Sequence, residues 1–151
     1  MNLAAAHLAT AHLTIVNLTI VNLTVSGVLL VGLGAAHIAL PAVLRWPREL
    51  AAASPLHREV SYVHCFFTGL SCVLWGLLPL TAGGLLLQPA PVTRLVLTGA
   101  VIFWASRLVI QLAVFNRHAH RSATWLALSA AGTLLWLYLT AVWTWTLVAQ
   151  Y

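Results

Sequence analysis

Apolar residues run almost unbroken through four stretches of the chain, about 24–44, 60–81, 92–115 and 123–148, each bounded by Arg, Pro or a short polar loop. A hydrocarbon core about 30 Å thick takes roughly 20 residues of helix, so each run is long enough to cross a bilayer once. The runs lack the strict alternation a barrel strand requires, and their polar residues recur at the three- and four-residue steps of a helix. Short connections make successive helices antiparallel. The expected fold is all-α: an integral membrane, up-down four-helix transmembrane bundle over residues 24–151. Residues 1–23 are expected to form an N-terminal repeat segment that leads into the membrane.

In that segment the polar positions keep a five-residue beat: Asn2-Leu3, His7-Leu8, His12-Leu13, Asn17-Leu18 and Asn22-Leu23. A step of five turns an α-helix by about 140°, so these residues share no face and build no interior stripe. About five units also fall short of the stacked coils that a pentapeptide solenoid needs to bury a core. Asn17-Leu18-Thr19 and Asn22-Leu23-Thr24 match the glycosylation pattern, but they abut or enter the first run, a poor place for a glycan. The beat reads as a duplicated segment, helical where it enters the membrane and extended or frayed before it.

Composition strengthens the membrane reading, and charge orients it. Of 151 residues, 62% are hydrophobic and 6% charged, and the mean hydropathy is +0.96; an average soluble domain carries roughly 25% charged residues. Seven Arg and two Glu make up the charge, with no Lys and no Asp. Arg45, Arg48 and Arg58 lie between the first two runs and Arg117 and Arg121 between the last two, whereas 82–93 is uncharged, with Arg94 just beyond it. The positive-inside rule then places the Arg-bearing loops in the cytoplasm and both termini outside, in what is expected to be a bacterial inner membrane. Trp143, Trp145 and Tyr151 suit a belt at the outer interface, while the deeper Trp136 and Tyr138 suit the interior. The basic balance does not point to nucleic acid, because the Arg residues bracket apolar runs instead of clustering on a solvated face. Cys65 and Cys72, seven apart in one run and outside any CxxC motif, read as small core residues.

Polar side chains are costly in hydrocarbon and are expected to point inward. In the second run Ser61, His64, Thr68, Ser71, Cys72 and Trp75 follow one helical face; in the third Ala100, Trp104, Arg107, Gln111 and His118 do the same. The first run offers Gly27, Gly34, His37 and Pro41, its small residues allowing close backbone approach, and the fourth Ser129, Gly132, Thr133 and Trp136. From the helix rise, His37 lies about 12 Å from the cytoplasmic end, His64 and Gln111 about 8 Å, and Arg107 about 14 Å. These four are expected to meet in a polar pocket. Arg107 keeps its proton and needs a partner: Glu59, or else a heme propionate, a lipid phosphate or a carboxylate substrate. His37 and His64, one on each of two antiparallel helices, suit axial ligation of a heme iron, a divalent metal, or plain interhelical hydrogen bonding. The candidate cofactor-binding residues are thus His37, His64, Arg107, Gln111 and Trp104; the candidate ion pair is Arg107 with Glu59, and the candidate metal ligands are His37 and His64. His118 and His120 read as a headgroup-facing turn, since two His make a poor zinc site.

No nucleophile with its base, no glycine-rich phosphate loop and no paired carboxylates occur, so no catalytic residue is assigned. The favoured function is a non-catalytic accessory subunit of a larger membrane complex, energy-transducing or built around a pigment or redox group, whose polar pocket seats a lipid or cofactor. Its partners are the lipid bilayer and other membrane subunits or further copies of the chain. The alternative is a small heme- or quinone-binding redox protein or enzyme using His37 and His64, and a second is a small-anion transporter working past Arg107.

Ser54-Pro55-Leu56 with Arg58, then Tyr62-Val63-His64, then Phe103-Trp104 with Arg107 resemble a pattern of small bacterial four-span membrane proteins of unassigned function. The resemblance covers the second and third runs. It implies the four-helix architecture and supports these site residues, with no activity attached.

Overall fold

The computed structural model describes residues 3–117 and 123–151; it is all-α, 89% helical, with no strand among the described residues. In order the α-helices are α1 (Leu3–Val43), α2 (Trp46–Glu49), α3 (Pro55–Leu86), α4 (Pro91–Ala113) and α5 (Ala123–Val148). Of these, α1, α3, α4 and α5 are long and apolar enough to cross a membrane, which is the four-helix architecture expected.

The helix ends follow local chemistry. Pro55 opens α3 where its missing N–H is not needed, and Ser54 Oγ accepts the His57 backbone N–H at 3.2 Å. Pro91 opens α4 in the same way, after an extended Ala90. At the end of α1 the chain turns through Arg45 in the left-handed region, φ 52° and ψ 36°, a conformation that costs a side chain about 1 kcal/mol. Within α3, Pro79 precedes a non-helical Ala82, φ −127° and ψ 19°, and the helix bends there, beside Gly83 and Gly84.

α1 departs most from expectation. It is helical from Leu3 onward, so residues 3–23 are not extended. The physical reason lies in its polar side chains. Thr14 and Thr19 hydroxyls and the Asn22 amide donate to the carbonyls of Thr10, Ile15 and Leu18, one turn back, at 2.9, 2.8 and 2.8 Å. These three polar side chains are satisfied within their own helix, so they do not need a partner helix.

The described chain divides into two compact units. One comprises Met1–Leu23 with Gly84–Tyr151. Here α4 and α5 pack antiparallel, Arg94 meeting Gln150, Trp104 meeting Trp136 and Gln111 meeting Ser129. The N-terminal half of α1 also runs antiparallel to α5: Trp145 Nε1 donates to Thr19 Oγ1 at 3.0 Å, and Tyr138 OH reaches Asn22 O and Oδ1, each at 3.2 Å. Leu97, Ala100, Trp104, Trp136, Leu139, Val142 and Trp143 are buried in this unit. Trp143 is fully buried, not placed in the interfacial belt, because it lies two turns beyond Trp136 on the packed face of α5. Trp145 and Tyr151 stay exposed.

The other unit is Thr24–Gly83, in which α1 and α3 run antiparallel with their backbones in contact. A β-carbon at Gly34 would stand 2.6 Å from the Gly69 carbonyl oxygen, and one at Gly27 2.7 Å from that of Gly76. Both pairs are seven residues apart on their helices, which keeps them on one line of contact. The close approach expected from Gly27 and Gly34 is present, and its partners are Gly69 and Gly76.

Candidate functional site

In the first unit the polar side chains of α4 and α5 form a connected chain. Arg107 and Gln111 are one helical turn apart, and Arg107 Nη1 donates to Gln111 Oε1 at 3.3 Å. Gln111 is buried, and its Nε2 donates to Asn116 Oδ1 at 3.2 Å and to the Ser129 carbonyl at 3.5 Å. The amide fits because Gly132 stands opposite: a β-carbon there would lie 3.3 Å from both Nε2 and Oε1 of Gln111. Asn116 in turn donates to Thr133 Oγ1 at 3.4 Å and accepts from the Ser129 hydroxyl.

The Arg107 guanidinium lies over two rings, 4.9 Å from the centroid of Phe115 and 4.5 Å from that of Trp136. Trp136 stacks on the buried Trp104, with centroids 5.8 Å apart and planes 11° from parallel. A half-buried cation over an aromatic face gains about 1 kcal/mol, so ring faces supply part of what an anion would. Arg94 repeats the arrangement at the other end of α4. It lies 4.5 Å over the Tyr151 ring and donates to Gln150 O at 3.2 Å, while Gln150 Nε2 donates to Leu86 O at 2.6 Å.

Three of the expected site residues, Trp104, Arg107 and Gln111, therefore share one cluster. Asn116 was missed because it sits in a stretch that reads as a headgroup-facing loop; the short 3₁₀ turn over residues 115–117 brings it back against Gln111. Phe115, read as the last residue of the third apolar run, instead lies past the end of α4, where its ring meets the Arg107 guanidinium. Ser129 and Thr133, one turn apart on α5, were the visible hint of this polar seam. His118, His120 and Arg121 lie outside the described residues.

His37, His64 and Glu59 belong to the second unit. His37 is half-buried, with Nδ1 2.8 Å from the Leu33 carbonyl oxygen. The carbonyl can only accept, so Nδ1 carries the proton. Cys65 Sγ donates to His37 O at 3.5 Å, and a β-carbon at Gly69 would be 2.8 Å from His37 Cβ. The residues of α3 that meet His37 are thus Cys65 and Gly69. His64, one position before Cys65 and so about 100° around the helix, is exposed, as is Glu59.

The inward polar face expected for the second run needs correction. The buried line of α3 is Cys65, Gly69, Cys72, Gly76 and Pro79, whereas Ser61, Thr68, Ser71 and Trp75 are only half-buried. The Ser61 and Thr68 hydroxyls donate to the carbonyls of His57 and His64 at 2.9 and 2.8 Å. Satisfied on their own helix, they do not need a partner helix, and the glycine line takes the contact instead.

Comparisons with protein-family models, with curated proteins and with solved structures find no match to this chain. The four apolar helices define its class, an integral membrane protein.

Proposed function

We propose that this protein is a non-catalytic accessory subunit of a larger membrane complex, held in a bacterial inner membrane with both termini outside the cytoplasm. The observation that supports this reading best is the polar seam of Arg107, Gln111, Asn116, Ser129 and Thr133, whose side chains bond to one another across α4 and α5. Such a seam fixes helix register and holds a cation in place. Its groups are engaged with one another, not arranged as a nucleophile with a base and orienter. Large apolar side chains point outward on every long helix, among them Ile38, Phe66, Leu95 and Leu134, and offer surface to lipid and to neighbouring subunits. α1, with 41 residues, is about 60 Å long, roughly twice the hydrocarbon core, so it extends beyond the bilayer where another subunit can meet it.

Solubilisation in a mild detergent tests the reading. The expected result is a colourless particle in which the chain and a fixed set of membrane proteins co-purify in constant ratio. A chain that elutes alone would overturn the accessory role, and a Soret band lost in His37→Ala would move the protein to the heme-binding class.

A further inference from the structure

An apolar cleft of about 460 Å³ opens along the α1–α3 contact. Gly34, Gly69, Pro41, Tyr62, Phe66 and the imidazole-bearing His37 are among the residues that line it. Its size falls in the range of small-molecule sites, roughly 300 to 1,000 Å³. Tyr62 is braced edge-on by Trp46, with centroids 5.3 Å apart, at the end nearest the Arg-bearing connection.

His37 gives the cleft its chemistry. Because Nδ1 donates to Leu33 O, the neutral ring presents Nε2 as a lone-pair acceptor, and no protein donor meets it among the described residues. Within hydrocarbon no water supplies one either. The cleft therefore calls for a lipophilic ligand that brings its own donor. Aromatic walls add a preference for a flat ring.

We infer that this cleft binds a quinol, whose ring lies against Phe66 and Tyr62 and whose hydroxyl donates to His37 Nε2, with the tail leaving into lipid. An oxidised quinone carries only acceptors on its ring and meets His37 acceptor to acceptor. A diacylglycerol has the hydroxyl but not the ring. Iron ligation would rest on His37 alone, since His64 does not line the cleft. The inference requires only the α1–α3 pair in a bilayer and is independent of the accessory role.

The test uses the full chain in phosphatidylcholine nanodiscs, titrated with decylubiquinol kept reduced and with decylubiquinone. Saturable binding is expected, with the reduced form held on the order of tenfold more tightly, the worth of one neutral hydrogen bond. His37→Ala keeps the β-carbon that packs on Gly69 and should bind both forms equally, at the weaker affinity. His37→Gln, whose amide oxygen also accepts, should recover part of the preference. Equal affinity of the wild-type chain for the two forms overturns the inference, as does a preference that survives in His37→Ala. Displacement by dioleoylglycerol at equal concentration, or a Soret band that depends on His37, also overturns it. Should His37→Ala fail to fold, the wild-type comparison of the two forms decides alone.

Discussion

Between α1 and α3 the carbonyl oxygens of Gly69 and Gly76 lie within 2.6 and 2.7 Å of where β-carbons on Gly34 and Gly27 would stand. Between α4 and α5 side chains intervene: the Gln111 amide against Gly132, Trp104 on Trp136, and Arg107 over Trp136. Lipid tails are as apolar as leucine, so neither pair is driven together by the hydrophobic effect, and each must find attraction elsewhere. The first pair uses backbone contact and tolerates no added volume. The second uses hydrogen bonds and ring faces, and it tolerates volume better than the loss of a partner. Glycine alone does not decide this. Gly32 on α1 and Gly99 on α4 have nothing within 4 Å of a would-be β-carbon, so only glycines at the right rotation about the helix make contact.

Substitutions that add volume to one pair or remove a partner from the other should separate the two modes. The largest effect is expected from Gly34→Leu, where the added side chain meets Gly69 and Val73 and should cost about 3 kcal/mol in mixed-micelle unfolding. The near-ultraviolet dichroism of the Trp104–Trp136 stack should survive it; loss of that band at the same denaturant concentration would erase the distinction between the pairs. Gln111→Leu should cost about 2 kcal/mol by the same assay, because it strips partners from Arg107 and Asn116 at once. Arg107→Lys keeps the charge but loses the planar guanidinium over the rings, and a thermal melt in detergent should register about 1 kcal/mol. Tyr138→Phe removes the hydroxyl from Asn22 for about 0.6 kcal/mol, the usual worth of such a bond in a membrane. Gly99→Leu should stay within about 0.5 kcal/mol of the parent; a larger loss would mean that a hidden contact covers that glycine.

Part of the candidate site is legible in the sequence. Arg107, Gln111 and Trp104 stood out because polar groups in hydrocarbon must be justified by a partner, and the helical step placed all three on one face. Their partners were harder to read. Asn116 and Phe115 sit past the end of α4, where chain direction and not periodicity decides what they touch. A half-buried cation in a membrane helix reads as needing a carboxylate, whereas aromatic rings, which read as mere packing, are beside Arg107. His37 was legible as an intramembrane polar group, but its fixed tautomer depends on the Leu33 carbonyl one turn back and on the cleft beside Gly69.

The lengths of the apolar runs, set against bilayer thickness, determined the four-helix class; α4 and α5 lie within two residues of the runs read for them, whereas α3 continues five residues beyond its run at each end. Ser54 and Pro55, before the second apolar run, set where α3 begins, and Pro91 sets where α4 begins. These are local properties, settled by which backbone groups a few neighbouring residues can satisfy. Tertiary structure decided the rotation of each helix about its axis. Around a membrane helix nearly every face is apolar, and hydroxyls that bond back to their own helix can face lipid at little cost, so periodicity does not single out the buried side. Glycines meeting glycines set that rotation for α1 and α3, and a polar seam set it for α4 and α5.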